Sequence, residues 1–153
     1  MANLNLPEGT EAGFRFDYSD AFGDRFVINV YGRHRKGWFV ATVTDPNRSL
    51  TTPPTPLKKG EWRTLLNFIK QCRFWELPEE FPEPALFALF DVDDGHWFTL
   101  SGRDGSTFHQ IHRFVWCEPG LVQLENYFRK ISRLFDEFET RMSGEEGETE
   151  PVK

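Results

Sequence analysis

Three carboxylates that could take part in acid–base chemistry stand close together at Asp91, Asp93 and Asp94. Neighbouring carboxylates raise one another's pKa, and groups perturbed in this way sometimes act in catalysis. Asp and Gly are also the residues that a hairpin tip requires, and the run DDG at 93–95 fits such a turn completely. The turn explains these residues without a catalytic role, so the sequence predicts no catalytic residue.

His96, His109 and Arg113 are candidates for a ligand-binding site. Residues four apart on a strand lie on the same face, so His109 and Arg113 could together grip an anion. If Ser101 paired with Ser106 across the intervening turn, a register that we assume here, His96 would lie on the same face as His109. The two histidines and Asp94 could then also approach one metal ion. Arg113 could equally form a structural ion pair with a nearby carboxylate, and the sequence leaves both interpretations open.

Metal binding and nucleophilic catalysis have less support. His109 and His112 are three residues apart on a predicted strand, so they point to opposite faces and cannot share an ion. Cys72 and Cys117 are most simply small core residues, although Cys117 precedes a helix start, where the helix dipole could lower a thiol pKa. The chain contains no CxxC, HExxH, G-x-S-x-G or Walker-type motif. We therefore expect no metal, no cofactor and no disulfide framework.

Large aromatic side chains are unusually frequent, with 16 Phe, 5 Trp and 3 Tyr among 153 residues. Trp97 and Phe98 are adjacent, so a strand that contains them carries a ring on each face. A sheet with helices on one side should alternate apolar and polar residues, so rings on the second face indicate either another covered face or an exposed apolar patch. Exposed apolar patches usually mark protein partners.

These observations predict a partner-binding site composed of Asp91, Asp93, Asp94 and Trp97. Aromatic anchors rimmed by charge supply much of the energy of protein interfaces, and acidic residues favour a basic partner. In the competing interpretation, Trp97 belongs to the core and the aspartates only form the turn.

The first half of the chain predicts three strands in an antiparallel meander. Apolar and polar residues alternate over 14–18, while the runs at 26–31 and 38–44 are rich in β-branched and aromatic residues. The connections are short, as in hairpins. The basic cluster at 33–36 (RHRK) is favoured as a solvated hairpin tip, with a phosphate contact as the alternative.

The second half predicts a further meander between two helices. The segment 45–60 contains four prolines and predicts a long loop. An apolar stripe predicts a helix over 61–73, and a narrow seam predicts another over 120–138. Strands are predicted at 85–92, 96–101 and 106–116, with turns at 93–95 and 102–105. The expected fold is α+β, in the order βββ-α-βββ-α, with two amphipathic helices on an antiparallel sheet of about six strands.

Length and charge limit the classes of protein. A chain of 153 residues fits one domain, which we place at 1–142. Four Glu and one Lys at 144–153 indicate an acidic flexible tail from 143 to 153. The net charge of −6 argues against generic nucleic-acid binding. No apolar run approaches the roughly 18 residues of a membrane span, and no signal peptide is visible, so a cytoplasmic location is expected.

The second half also resembles a family of small, uncharacterised bacterial proteins. The resemblance covers about 62–135 and rests on Phe74-Trp75-x-Leu77-Pro78, Asp94-Gly95-x-Trp97 and His109-x-Ile111-x-Arg113, followed by an amphipathic helix. It implies an α+β fold and a bacterial or phage origin, but no reaction. Immunity proteins that neutralise toxins share this general appearance.

Two functions are carried forward from the sequence. The favoured function is a non-enzymatic protein-binding module, such as an immunity or inhibitor protein that recognises a basic partner. The alternative is a small-molecule-binding, anion-binding or hydrolytic domain that uses His96, His109 and Arg113.

Overall fold

The computed structural model describes residues 4, 6–20, 23–80, 96–113 and 119–131. The described elements are, in chain order, β1 (Ala12–Asp20), β2 (Arg25–Arg33), β3 (Lys36–Thr44), β4 (Ser49–Thr51), β5 (Thr55–Pro56), α1 (Glu61–Gln71), a 3₁₀ helix (Phe74–Glu76), β6 (His96–Asp104), β7 (Thr107–Arg113) and α2 (Pro119–Ile131). The predicted α+β class, the antiparallel sheet and the two helices are confirmed. No described helix is both long and apolar enough to cross a membrane.

The sheet has the strand order β4-β3-β2-β1-β6-β7, and β5 also pairs with β3. Strands β1, β2 and β3 form the predicted first meander, with Phe16 opposite Ile28 and Ile28 opposite Ala41. Strand β1 is central because its other edge pairs antiparallel with β6, where Phe16 lies opposite Leu100. This pairing joins the two halves of the chain in one sheet.

Both described helices pack on the same face of the sheet. In α1 the predicted stripe buries Trp62, Leu65 and Ile69, and Trp62 approaches the ring of Phe14 with a centroid distance of 6.3 Å. In α2 the ring of Phe128 stacks on Phe16 at 5.4 Å. Each fully buried side chain of this size contributes about 1.5–3 kcal/mol through removal of apolar surface from water. The core therefore lies between the helices and this face.

The element order differs from the predicted βββ-α-βββ-α because the proline-rich segment 45–60 contains the two short strands β4 and β5. Both pair with β3, whose backbone groups would otherwise lack partners at the sheet edge. Between them, Thr52 is buried, and its hydroxyl accepts a hydrogen bond from the Ala41 N–H at 3.0 Å. The predicted strand at 85–92, the turn at 93–95, the end of the second helix and the tail at 143–153 lie outside the described residues.

The hairpin between β6 and β7 has a different register from the predicted one. The turn expected at 102–105 is wrong: β6 continues to Asp104, which pairs with Thr107, and the turn is reduced to two residues. Gly102 lies inside β6, at a position where a side chain would not fit. A Cβ atom at Gly102 would lie 2.7 Å from Cε2 of Phe74 and 2.8 Å from Cδ1 of Phe14.

Candidate functional site

The sheet face opposite the two helices is the candidate functional surface, and we call it the open face. It is formed by the odd-numbered residues of β1, β2 and β6 and the even-numbered residues of β3 and β7, as the register requires. Among the described residues, the buried side chains of α1 and α2 all pack on the other face. The open face is therefore where the fold presents side chains that the core does not use.

Trp97 is the largest apolar side chain exposed on this face. It is 58% exposed, whereas its neighbour Phe98 is 7% exposed and packs in the core beside Tyr18, at a centroid distance of 5.6 Å. The prediction that adjacent rings would occupy both faces of this strand is confirmed. The interpretation of Trp97 as a core residue is wrong.

An ion pair on the central strands lies next to Trp97 on the open face. Arg25 donates two hydrogen bonds to the Asp17 carboxylate, from Nε to Oδ1 at 3.0 Å and from Nη2 to Oδ2 at 2.6 Å. The hydrogen bonds to Asp17 raise the pKa of Arg25 above its ordinary value, against a smaller opposing effect of burial. Arg15 approaches the same carboxylate at 3.7 Å. The bidentate pair with Arg25 holds the Asp17 carboxylate in one orientation.

A chain of side-chain hydrogen bonds crosses strands β6 and β7 on the open face. Ser101 donates to Oε1 of Gln110 at 2.9 Å, and Nε2 of Gln110 then faces Nε2 of His112 at 3.1 Å. With the amide in this orientation, His112 accepts at Nε2 and donates from Nδ1 to the Thr99 hydroxyl, at 3.0 Å. These hydrogen bonds orient the side chains, and the Glu79 carboxylate also lies 3.8 Å from Nε2 of His112, so this part of the face offers an ordered polar pattern to a partner.

The N-terminal segment covers one end of the open face. Leu6 packs directly over Gly13, where a side chain would collide with it. Arg103 donates to the carbonyl of Leu4 at 3.4 Å, and Leu4 is itself buried. The end of the face that carries Trp97 is about six residues, or roughly 20 Å, farther along β6.

His109 and Arg113 lie on the core-facing side of β7, and each donates hydrogen bonds to main-chain carbonyls of the described residues. His109 donates from Nε2 to the Leu77 carbonyl at 2.7 Å, and its ring meets the edge of Phe74 at 5.1 Å. Arg113, which is only 2% exposed, donates to the carbonyls of Pro78 and Glu79, each at 2.9 Å. This arrangement holds the segment after the 3₁₀ helix against the sheet.

The three residues of the alternative ligand site are not brought together. The assumed pairing of Ser101 with Ser106 is wrong, and His109 lies opposite Gly102 instead. His96 begins β6, six residues from Gly102, so His96 and His109 are separated by about 20 Å along the sheet. Arg113, opposite Phe98, lies closer to the His96 end of the hairpin.

The remaining predicted chemistry has few counterparts in the described part of the chain. Asp91, Asp93 and Asp94 lie outside it, as does Cys117. Within the described ranges, no group of three or more His, Cys, Asp and Glu is placed to hold a metal ion. Cys72 is half-buried and packs against Gly120. A Cβ atom added at Gly120 would lie 2.9 Å from the Cβ atom of Cys72.

Sequence reasoning missed the polar pattern of the open face. Its signal was present in the alternation of Thr99 with Ser101 and of Gln110 with His112. A period of two places such residues on one face, but the pairing of the two sets depends on the hairpin register. The register could not be fixed because Gly102 suggested a turn.

No protein-family model, curated protein or solved structure matches this chain.

Proposed function

We propose that the protein is a non-enzymatic binding module that recognises another protein through the open face of its sheet. The observation that carries this proposal is the exposed ring of Trp97 on the face opposite the helices. Tryptophan is enriched among the residues that dominate interface energy. When a partner covers a large exposed ring, apolar surface is removed from water and the free energy falls.

The surroundings of Trp97 support the same function. The pair between Asp17 and Arg25 and the hydrogen-bonded chain through His112 are held by neighbouring strands. Polar groups that are already ordered lose little conformational entropy when a partner binds, which favours affinity. The arrangement suits recognition rather than turnover, since these groups are engaged with one another.

The acidic residues Asp91, Asp93 and Asp94 extend this proposed site, because they precede Trp97 closely in the chain. Their charge favours a basic partner and faster encounter. A cytoplasmic immunity or inhibitor protein that neutralises a basic toxin, such as a nuclease, is the biological role that we infer from this combination. Use of His109 and Arg113 as an anion site has less support, since both already donate to main-chain carbonyls.

Affinity capture from the native host, followed by mass spectrometry, tests the proposal. We expect the wild-type chain to retain a basic protein that Trp97→Ala loses. Phe108→Ala is the matched control: Phe108 is an aromatic residue of the open face, 37% exposed, and it pairs with Arg103 at the far end of the hairpin. Equal retention by wild type and Trp97→Ala, or equal loss in both variants, would contradict a site centred on Trp97.

A further inference from the structure

A pocket lined by five basic side chains lies at the end of the molecule away from Trp97. The basic residues come from two segments, namely Arg35 and Lys36 at the β2–β3 turn, and Lys58, Lys59 and Arg63 at the start of α1. The pocket has a volume of about 650 Å³ and opens to solvent. This volume falls within the range of about 300–1,000 Å³ that is usual for small-molecule sites.

Strand β5 brings the two basic segments together. It pairs with the beginning of β3, where Pro56 lies opposite Trp38, and the Leu57 N–H then donates to the Gly37 carbonyl at 2.8 Å. The lysines at 58 and 59 follow immediately, so they are fixed beside the hairpin tip. The clustering of charge is therefore a result of backbone pairing and not of flexible side chains that happen to meet.

The charge of the pocket is opposite to that of the chain as a whole. No acidic residue lines it, although the protein has a net charge of −6. In the described part of the chain, none of the five basic side chains forms an ion pair with a carboxylate. The nearby carboxylate of Glu61 accepts the Lys58 backbone N–H at 2.6 Å. Five like charges around one cavity repel one another, and an anionic ligand would relieve that repulsion.

The lining also includes an apolar portion formed by Trp38, Pro56 and Leu57. A bare anion would use only the charged groups, whereas a ligand with an apolar or planar body would also cover these side chains. Charge, shape and apolar lining thus favour a compact ligand with several negative charges and a nonpolar body.

We propose that this basic pocket binds a small polyphosphate with an aromatic body, of the class of nucleoside triphosphates. The basic side chains bind the phosphates through charge-assisted hydrogen bonds, and the apolar portion packs against the base. This site is independent of the proposed partner site at Trp97.

Isothermal titration calorimetry of the full chain with four probes tests the proposal: ATP, GTP, inorganic tripolyphosphate and adenosine. We expect ATP, GTP or both to bind, tripolyphosphate to bind at least fivefold more weakly, and adenosine to bind too weakly to detect. The affinity for the nucleotides should be lower at an ionic strength of about 0.15 M than in low-salt buffer, because salt screens exposed charges. Failure of both nucleotides to bind overturns the proposal, and equal affinity for tripolyphosphate overturns the role of the apolar portion.

Two double variants distinguish binding in the pocket from a general effect of the protein's net charge. Lys59→Gln with Arg63→Gln should weaken nucleotide binding at least tenfold, whereas Lys70→Gln with Lys130→Gln makes the same change in net charge outside the pocket and should change affinity less than twofold. Equal weakening by both pairs overturns the site. Tighter binding of a short single-stranded oligonucleotide than of either nucleotide, lost in the same pocket variant, replaces the proposal with a nucleic-acid surface.

Discussion

Arg113 and Glu79 are joined by a hydrogen bond of 2.9 Å from the buried guanidinium to the Glu79 carbonyl. The same carbonyl also accepts the backbone N–H of His112 at 2.7 Å. Arg113, on the last described strand, therefore binds main-chain oxygens that precede it by more than 30 positions in the chain. The side chain first considered as an anion ligand connects two distant parts of the fold.

Replacement of Arg113 by Met should strongly destabilise the protein. It keeps much of the apolar stem but removes the guanidinium donors to the Pro78 and Glu79 carbonyls, and a hydrogen bond from a charged group contributes about 1.5–3 kcal/mol. We expect the free energy of unfolding to fall by about 2–4 kcal/mol in urea titrations, because the Glu79 carbonyl keeps its bond from the His112 N–H. Arg33→Met, at an exposed position, should stay within about 0.5 kcal/mol. A similarly small change in the unfolding free energy of both variants would show that the Arg113 hydrogen bonds do not stabilise the fold.

Gly102→Ala should destabilise the protein through overpacking. The added methyl group would lie 2.7 Å from Phe74 and 2.8 Å from Phe14, and such crowding typically costs about 1–3 kcal/mol. Phe74→Leu in the same chain should recover part of that cost, which a double-mutant cycle of chemical unfolding measures. Purely additive effects of the two substitutions would argue against direct contact. Gly105→Asn is the control, since no atom lies within 4 Å and Asn tolerates its positive φ.

Trp97→Ala and Phe98→Ala should have opposite consequences. Removal of the buried Phe98 ring should cost about 3–5 kcal/mol of unfolding free energy, as for other core aromatics. Removal of the exposed Trp97 ring should cost less than about 1 kcal/mol, since a surface side chain contributes little to the core. Thermal melts followed by circular dichroism compare the two variants. A large loss of stability in Trp97→Ala would place its ring in a packed environment.

Charge reversal at Asp93 and Asp94 should weaken partner capture without unfolding the protein. We expect Asp93→Lys with Asp94→Lys to reduce recovery of a basic partner, because electrostatic attraction becomes repulsion. The unfolding free energy should remain within about 0.5 kcal/mol of the wild type, as for ordinary surface substitutions. Undiminished recovery of the partner would remove these aspartates from the proposed site.

Alkaline pH should destabilise the protein through Tyr31 and Tyr18. Burial raises the pKa of Tyr31, while burial and then the charge of Asp20 raise the pKa of Tyr18. A group with a higher pKa in the folded chain contributes stability that is complete below the unfolded pKa, which is about 10 for tyrosine, and that is lost as pH rises through the folded value. Stability should therefore be flat from about pH 7 to 9 with respect to these groups and fall above about 10.

Ultraviolet titration of the phenols measures this effect. The native protein should ionise at higher pH than the chain in urea, and Tyr31→Phe should remove part of the difference. Identical titration curves in both solvents would contradict the effect of burial. Tyr18→Phe reports the second contribution separately.

The sequence was sufficient for the elements that have a clear hydrophobic period. Alternation around Phe14 and Phe16 predicted β1, and the stripe from Trp62 to Ile69 predicted α1. It was insufficient at Gly102, because a glycine that leaves space for the rings of Phe14 and Phe74 looks the same in the sequence as a glycine in a turn. It was also insufficient for β4 and β5, whose pairing depends on the open edge of β3 rather than on their own composition.

The candidate sites follow the same division. Adjacent rings at Trp97 and Phe98 predicted that one side chain would face away from the core. The basic pocket could not be predicted, because Lys36 and Lys58 become neighbours only after β5 has paired with β3. Pairings between residues distant in the chain depend on the whole fold.

The main-chain contact between His112 and Glu79 also bears on self-association. Among the described strands, β7 has one neighbour, β6, and the Glu79 carbonyl accepts the His112 N–H at this border of the sheet. Unpaired strand borders are templates onto which strands of other molecules can add, and this is a common route to aggregation. Arg113 binds the same carbonyl and so helps to hold this segment against β7. We therefore expect loss of the guanidinium to weaken this cover and to make self-association through β7 easier.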